Sequence, residues 1–401
     1  MNREADYTIK GFIYQFNLTL LKILESNDDT EITIEGIIED IDLKDGDQIE
    51  AVQCKYHETK EAYTLSLFYK PILQMMVHYC KNNNPLVEYT LYAHLPNQKD
   101  EIKLTIKDID KITSTNDSNL AKYVSQIDES FDAEDFLNHF KIELGASFDE
   151  LVKSTKIKLS SDNFDPSEID TLIYPNAINE IANYSIKHDA IQRKVTKSDF
   201  LKLLKEIRKT AITKWTLSLK DFKKIIEARK KQLKPNLDKN SRLRYFLISD
   251  EDIEDFDQSI VTFISEYIDK FHSKPTHIQT PVFALDCDQV KFDEIRLRLF
   301  KKGIKFRDGF VTPAVFDENY FYELPITKVV SKNEIQREFS IRLLRYEQKS
   351  HILVKKPCDD LFVITSKEHP ELYQEDLTIE QISINKLQEL KYILGVSDVY
   401  E

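Results

Sequence analysis

Between residues 32 and 57 the chain reads ITIEGIIEDIDLKDGDQIEAVQCKYH, with apolar and polar positions in alternation. A period of two predicts half-buried strands, because successive side chains leave a strand on opposite faces. Asp45-Gly46 interrupts the run with a dipeptide suited to the positive φ of a tight turn, so two antiparallel strands are expected. On the first, Ile37, Ile41 and Leu43 share one face, and Asp40 and Asp42 share the other. On the second, Val52, Cys54 and Tyr56 share a face, opposite Gln53 and Lys55. Either side of this hairpin the period becomes helical. Phe12, Phe16, Leu20, Ile23 and Leu24 stripe a helix over 7–26. Leu65, Phe68, Tyr69, Ile72, Leu73, Met76 and Tyr79 stripe another over 62–81, which ends at Asn82-Asn83-Asn84-Pro85. Residues 87–95 alternate as a further strand, giving the order helix, hairpin, helix, strand.

The pattern then changes twice. Residues 96–186 are polar and acidic, with helices expected at 132–142, 147–156 and 166–184 behind the N-cap residues Asp132, Ser147 and Ser167. Residues 187–239 are crowded with Lys and Arg, and two helices are expected near 197–214 and 218–232, with 235–240 as a linker. From 241 onward strands are expected at 244–248, 281–287, 339–346, 351–355 and 361–365, with 304–310 pairing 313–316. Helices are expected at 251–271, 289–302 and 378–394. The expected fold class is therefore α/β (α+β) in three regions. These are an N-terminal domain over 1–130, a helical region with basic helices over 131–240, and a C-terminal α/β domain over 241–401 for oligomerisation or partner docking.

Composition narrows the function classes. With 401 residues and 41% apolar content the chain can build packed cores. A net charge of −13 argues against a protein that passively coats DNA, while leaving room for a local basic groove. The four cysteines, Cys54, Cys80, Cys287 and Cys358, are far apart and form no Cys-x-x-Cys, which disfavours a disulfide framework or zinc site. None of the seven glycines is spaced for a phosphate-cradling loop, so ATP hydrolysis would fall to a partner. The polar N-terminus and the lack of a long apolar run imply a cytoplasmic protein with no membrane partner.

The hairpin carries the candidate chemistry. Folding it brings Asp40 or Asp42 beside Gln53 and Lys55. Phosphodiester hydrolysis needs a divalent cation, an activated water and charge compensation at the phosphate. Asp40, Asp42 and the carbonyl groups of Gln53 offer oxygen ligands suited to Mg²⁺, with Mn²⁺ as an alternative. Lys55 can orient the water and offset negative charge. A carboxylate, a turn, then (Asp/Glu/Gln)-x-Lys is the pattern of the PD-(D/E)XK nucleases. The likeness extends to Gly11-Phe12-Ile13-Tyr14-Gln15, Glu39-Asp40-Ile41-Asp42, Val52-Gln53-Cys54-Lys55-Tyr56-His57 and Lys70-Pro71-Ile72-Leu73. Together these resemble the nuclease domain of CBASS effector endonucleases and of the nuclease subunit of SMC-containing Lamassu anti-phage systems, over roughly the first hundred residues. One departure is that Gln53 stands where the superfamily usually has Asp or Glu.

The resemblance implies a Mg²⁺-dependent endonuclease that cuts double-stranded DNA. It also implies an effector subunit of a bacterial anti-phage or anti-plasmid defence complex, attached to an SMC-like ATPase with an accessory subunit and activated by that partner or by homo-oligomerisation. Gln15 reads as a helix-surface amide, or as a group reaching the metal or a phosphate. Glu35 reads as a sheet-edge residue or an outer-shell acid. Lys202, Lys205, Lys209, Lys223 and Lys224 mark the basic stretch as a DNA-contacting face, against the alternative of a solvated helix surface. No histidine is assigned to chemistry. The rival class is a non-catalytic adaptor that keeps a nuclease-like fold and only binds nucleic acid or a partner.

Overall fold

The computed structural model describes residues 3–58, 63–82, 86–129, 131–207, 210–331, 334–356, 358–367, 369, 372 and 378–400. The chain forms two compact units, Met1–Arg208 and Lys209–Glu401, each a mixed α/β structure.

The first unit is built on strands β1 (Glu31–Ile34), β2 (Ile41–Asp45), β3 (Gln48–Tyr56), β4 (Val87–His94), β5 (Phe140–Leu144) and β6 (Lys194–Thr196). They form one sheet in the order β5-β4-β3-β2-β1-β6. The pairs β1–β2, β2–β3 and β1–β6 are antiparallel, while β3–β4 and β4–β5 are parallel. Helix α1 (Arg3–Glu25) packs with α3 (Phe148–Ser161), α4 (Tyr174–Ser185) and β3. Its buried stripe is Ile13, Phe16, Leu20, Ile23 and Leu24, whereas Phe12 is exposed. Helix α2 (Tyr69–Asn82) packs Ile72, Leu73 and Met76 with Ala51, Tyr89, Leu91 and Ala93 of β3 and β4.

Two expectations change here. The stretch 32–45 is not one strand: β1 stops at Ile34 and turns back antiparallel into β2 with Ile34 opposite Ile41. Asp40 and Ile37 therefore sit in a loop, and Ile37 is 73% exposed instead of sharing a buried face with Ile41. The helix expected over 132–142 covers only Ala133–Asn138, and Phe140–Leu144 is strand β5, paired with β4. Because β5 and β6 complete the sheet, the first unit runs past the boundary expected at 130 and takes in the helices through Glu206. The hairpin turn itself forms with Asp45 opposite Gln48 and Gly46 at φ 62°, a conformation glycine adopts without Cβ strain.

The second unit carries strands β7 (Arg244–Ser249), β8 (Val282–Asp286), β9 (Phe306–Arg307), β10 (Ile341–Arg345), β11 (Asp360–Ile364) and β12 (Thr378–Gln381). Their order is β12-β11-β7-β8-β10-β9, and every pair is parallel. Parallel strands are covered on both faces and so read as unbroken apolar runs, as β7 (RYFLIS, buried throughout) does. Residues 351–355, expected as a strand, are a helical turn with Ile352 and Leu353 buried. The stretch 378–394, expected as one helix, divides into β12 on the ladder of β11 and the helix Leu387–Ile393. The expected linker after 234 begins as the last turn of helix Phe222–Leu237, held by buried Leu233 and Leu237. Residues 306–307 join the main sheet, while Phe310–Thr312 pairs Val315–Phe316.

Buried charge ties helix Phe222–Leu237 to β12: Arg229 pairs with Glu380, and both side chains are almost fully buried. Removing one member of such a pair leaves the other buried without its opposite charge. Arg229→Met should cost about 3–5 kcal/mol of unfolding free energy, read from urea denaturation. No helix among the described residues is long and apolar enough to cross a membrane, and the four cysteines are free.

Candidate active site

The loop between Ile34 and Ile41 is folded around one side chain. Asp42, on β2, turns both carboxylate oxygens back toward it. Oδ2 accepts from the backbone N–H of Ile37 at 2.7 Å and Ile38 at 3.0 Å, and Oδ1 accepts from Glu39 N–H at 3.1 Å. The loop is closed by Gly36 N–H donating to Asp40 O at 3.3 Å. Gly36 is required by this close approach, since a Cβ there would lie 2.4–2.6 Å from the carboxylate atoms of Asp42. Asp42 is thus occupied in shaping the loop and does not share a strand face with Asp40 as the alternation suggested.

Asp40 faces the C-terminal half of β3. Its Oδ2 accepts from Cys54 N–H at 2.8 Å and from the side-chain amide of Gln53, while Oδ1 accepts no hydrogen bond among the described residues. Glu39, one residue earlier, is only 8% exposed, and its Oε1 is buried without a hydrogen-bond partner. Lys55 is half-buried on β3, and its charge acts on Glu35, Glu39 and Asp40. Among the described residues Lys55 forms no ion pair within 4 Å. The structure brings Asp40 onto Gln53 and within reach of the charge of Lys55, and places Glu39 beside them.

Helix α1 contributes Gln15, whose side-chain amide donates to Glu35 Oε1 at 2.9 Å. Glu35 holds φ 50°, a left-handed conformation uncommon for a residue with a Cβ. Strain of this kind persists where surrounding structure imposes it; here Gln15 and the Asp42-bound loop flank the residue. Gln15 thus reaches the acidic cluster through Glu35.

The electrostatics of the loop are adverse without a cation. Burial, followed by the charge of Asp40, pushes Glu39 up to about 8. Burial and Asp40 likewise raise Glu35, against the hydrogen bond from Gln15. Burial raises Asp40, partly offset by Cys54 N–H, Lys55 and Gln53. Asp42 is raised by burial despite its three backbone donors. Carboxylates crowded together and removed from water favour any positive charge that joins them. Among the described residues no three His, Cys, Asp or Glu side chains converge as a ready cage. The set that fits a divalent cation is therefore two carboxylates, Asp40 and Glu39, with carbonyl oxygen from around Gln53 and water. That set suits a partly hydrated Mg²⁺.

Two of the three histidines of this region, His78 and His94, are held by hydrogen bonds. His78 Nδ1 meets Tyr89 OH at 2.7 Å, and His94 Nδ1 meets Gly145 O at 3.0 Å. The basic stretch is divided between the two units. Lys202 and Lys205 are exposed on helix Lys197–Glu206 of the first, and Lys223 and Lys224 are exposed on helix Phe222–Leu237 of the second. Lys209 lies outside the described residues. The first unit has 24 Lys and Arg against 37 Asp and Glu, and the second has 32 of each, so the first carries the whole net charge of −13.

Strand alternation gives Glu39 no distinction; the signal in the sequence is the Glu39-Asp40 pair standing just before a strand. No protein-family model matches the chain, and no curated protein matches it significantly.

Proposed function

We propose that this chain is a metal-dependent endonuclease acting on double-stranded DNA, with its active site at the loop and hairpin of residues 35–55. The observation that carries the reading is the meeting of Asp40, in the loop before β2, with Gln53 and Lys55 of β3. Asp40 and Gln53 would hold Mg²⁺, or Mn²⁺ in its place. The cation, when bound, supplies Lewis-acid polarisation of the phosphate and a more acidic water. The chain's own groups do the rest. Lys55 offsets charge that develops on the phosphate oxygens and orients the attacking water through its ammonium donors. Asp42 fixes the loop so that Asp40 keeps its direction. Gln15 holds Glu35 beside the cluster. The element order α1, β1–β3, α2 and β4, with β3 and β4 parallel, supports this reading, since a PD-(D/E)XK domain runs helix, antiparallel strands, helix, parallel strand.

The acidic first unit supports a further part of the reading. A unit with this charge gains no DNA affinity from its overall field, so cleavage would depend on local cations such as Lys202 and Lys205 and on recruitment. Control by an SMC-like ATPase partner with an accessory subunit, and by homo-oligomerisation that brings two sites to opposite strands, fits an effector of bacterial anti-phage defence. The second unit would provide the docking surface.

Supercoiled plasmid incubated with the native chain should be nicked and linearised with Mg²⁺ or Mn²⁺, and left intact with EDTA. If the isolated chain is silent, its overexpression should still be toxic, and Lys55→Ala should remove the toxicity. Cleavage that survives EDTA, or toxicity indifferent to Lys55, refutes the nuclease reading.

A further inference from the structure

The superfamily's metal site ordinarily takes a second carboxylate from the position that Gln53 occupies here. Gln53 is a neutral amide, 6% exposed, and it spends its N–H on Asp40. Asp42, the other acid of the hairpin, has both oxygens engaged by backbone N–H groups of residues 37–39. Glu39 is different. It is 92% buried, its Oε1 has no hydrogen-bond partner, and its charge is coupled to Asp40 and Lys55. A buried carboxylate oxygen without a donor is costly unless something occupies it in the working protein. Its backbone is also the third N–H clamped by Asp42, so the loop that presents Asp40 presents Glu39 in the same step.

We propose that Glu39 is the second carboxylate of the metal site, binding the divalent cation together with Asp40 and replacing the acid that Gln53 does not supply. This rests on the nuclease reading for the identity of the reaction, but the binding claim can be tested without DNA. The site then has two anionic ligands on adjacent residues of one loop, and Asp42 is a positioning residue that acts through backbone.

The test is Mn²⁺ binding by isothermal titration calorimetry to the full chain, with melting in metal-free buffer as the control for folding. The native chain should bind Mn²⁺. Glu39→Gln should weaken it by about ten-fold or more, the scale on which groups of a metal site act, without lowering the metal-free Tm, since the amide keeps the shape of the carboxyl it replaces. Glu39→Cys gives a second, independent readout: a thiolate ligand should shift preference from Mn²⁺ toward Cd²⁺ relative to the native chain. Unchanged Mn²⁺ affinity in Glu39→Gln, no shift toward Cd²⁺ in Glu39→Cys, or no Mn²⁺ binding by the native chain each overturns the proposal. The outcomes separate it from the nuclease reading. Native Mn²⁺ binding lost in Glu39→Gln, with plasmid untouched and no toxicity, leaves the metal site standing and removes the nuclease. Metal-dependent cutting with unchanged binding in Glu39→Gln does the reverse.

Discussion

Lys55→Ala should yield a folded chain whose DNA cleavage falls by about 10²–10⁴-fold, the range that a positioned acid–base or charge-stabilising group contributes. Lys55 lies on β3 between buried Cys54 and half-buried Tyr56, at a position fixed by pairing with β4, where it stands opposite Ala93, while β2 pairs with residues 48–52 of the same strand. Its backbone is therefore held independently of its side chain. Among the described residues the side chain is the one cation acting on Glu35, Glu39 and Asp40 together. Truncating it takes positive charge from three buried or half-buried carboxylates, which pushes their titration further upward without opening a hydrophobic core. Melting should move by only a few degrees, the scale of about 1 kcal/mol in a domain of this size. Mn²⁺ should still bind, because Lys55 is not an oxygen ligand. The diagnostic combination is retained fold and retained metal with lost turnover. Plasmid cleavage kinetics alongside calorimetry measures all three, and turnover within a factor of two of native would remove Lys55 from the mechanism.

Asp42→Ala should act in another way, by dissolving the loop. Three backbone N–H groups would lose their acceptor at once. Hydrogen bonds to a charged acceptor are each worth about 1.5–3 kcal/mol, while relief from burying the charge offsets part of the loss. A net cost of about 2–4 kcal/mol follows, read from the urea midpoint at unchanged slope. Asp42→Asn keeps one acceptor oxygen and should fall between the two. Gly36→Ala should reproduce the defect from the other side of the contact, since its Cβ would press on the same carboxylate. Activity should fall with stability in all three variants, because Asp40 and Glu39 lose their fixed direction. Glu39→Gln provides the contrast, with metal affinity lost and stability kept. If Asp42→Ala instead retained native stability and lost only metal affinity, Asp42 would be a ligand and the division of roles between Asp42 and Glu39 would be reversed.

Both predictions turn on how much of the site a linear pattern can show. The sequence by itself determined the helix ahead of the site, the turn at Gly46, the second strand of the hairpin, and α2 with β4 beyond it. Each is a local matter: apolar spacing over one element, or a dipeptide that tolerates positive φ. It also placed Gln53 and Lys55 on one face, since strand alternation is strict once a strand exists. In the second unit the apolar runs of β7, β8, β10 and β11 were legible for the same reason, being buried on both faces.

What only the tertiary structure decided was where pairing begins and ends. Residues 32–45 alternate well enough to be one strand, yet Ile34 pairs Ile41 and the six residues between form the loop of the candidate site. That outcome depends on Asp42 finding three N–H donors, a contact between residues three to five apart that no period encodes. Likewise 140–144 and 378–381 became strands because β4 and β11 offered them a parallel edge. Their own composition suited a helix as well, and a ladder of hydrogen bonds outweighs the few tenths of a kcal/mol per residue that separate such propensities. The roles of Asp42 and Glu39 follow from the same cause. Both are acids beside a strand in the sequence, and only the folded loop shows that one is saturated by backbone donors and the other is buried with an oxygen left open.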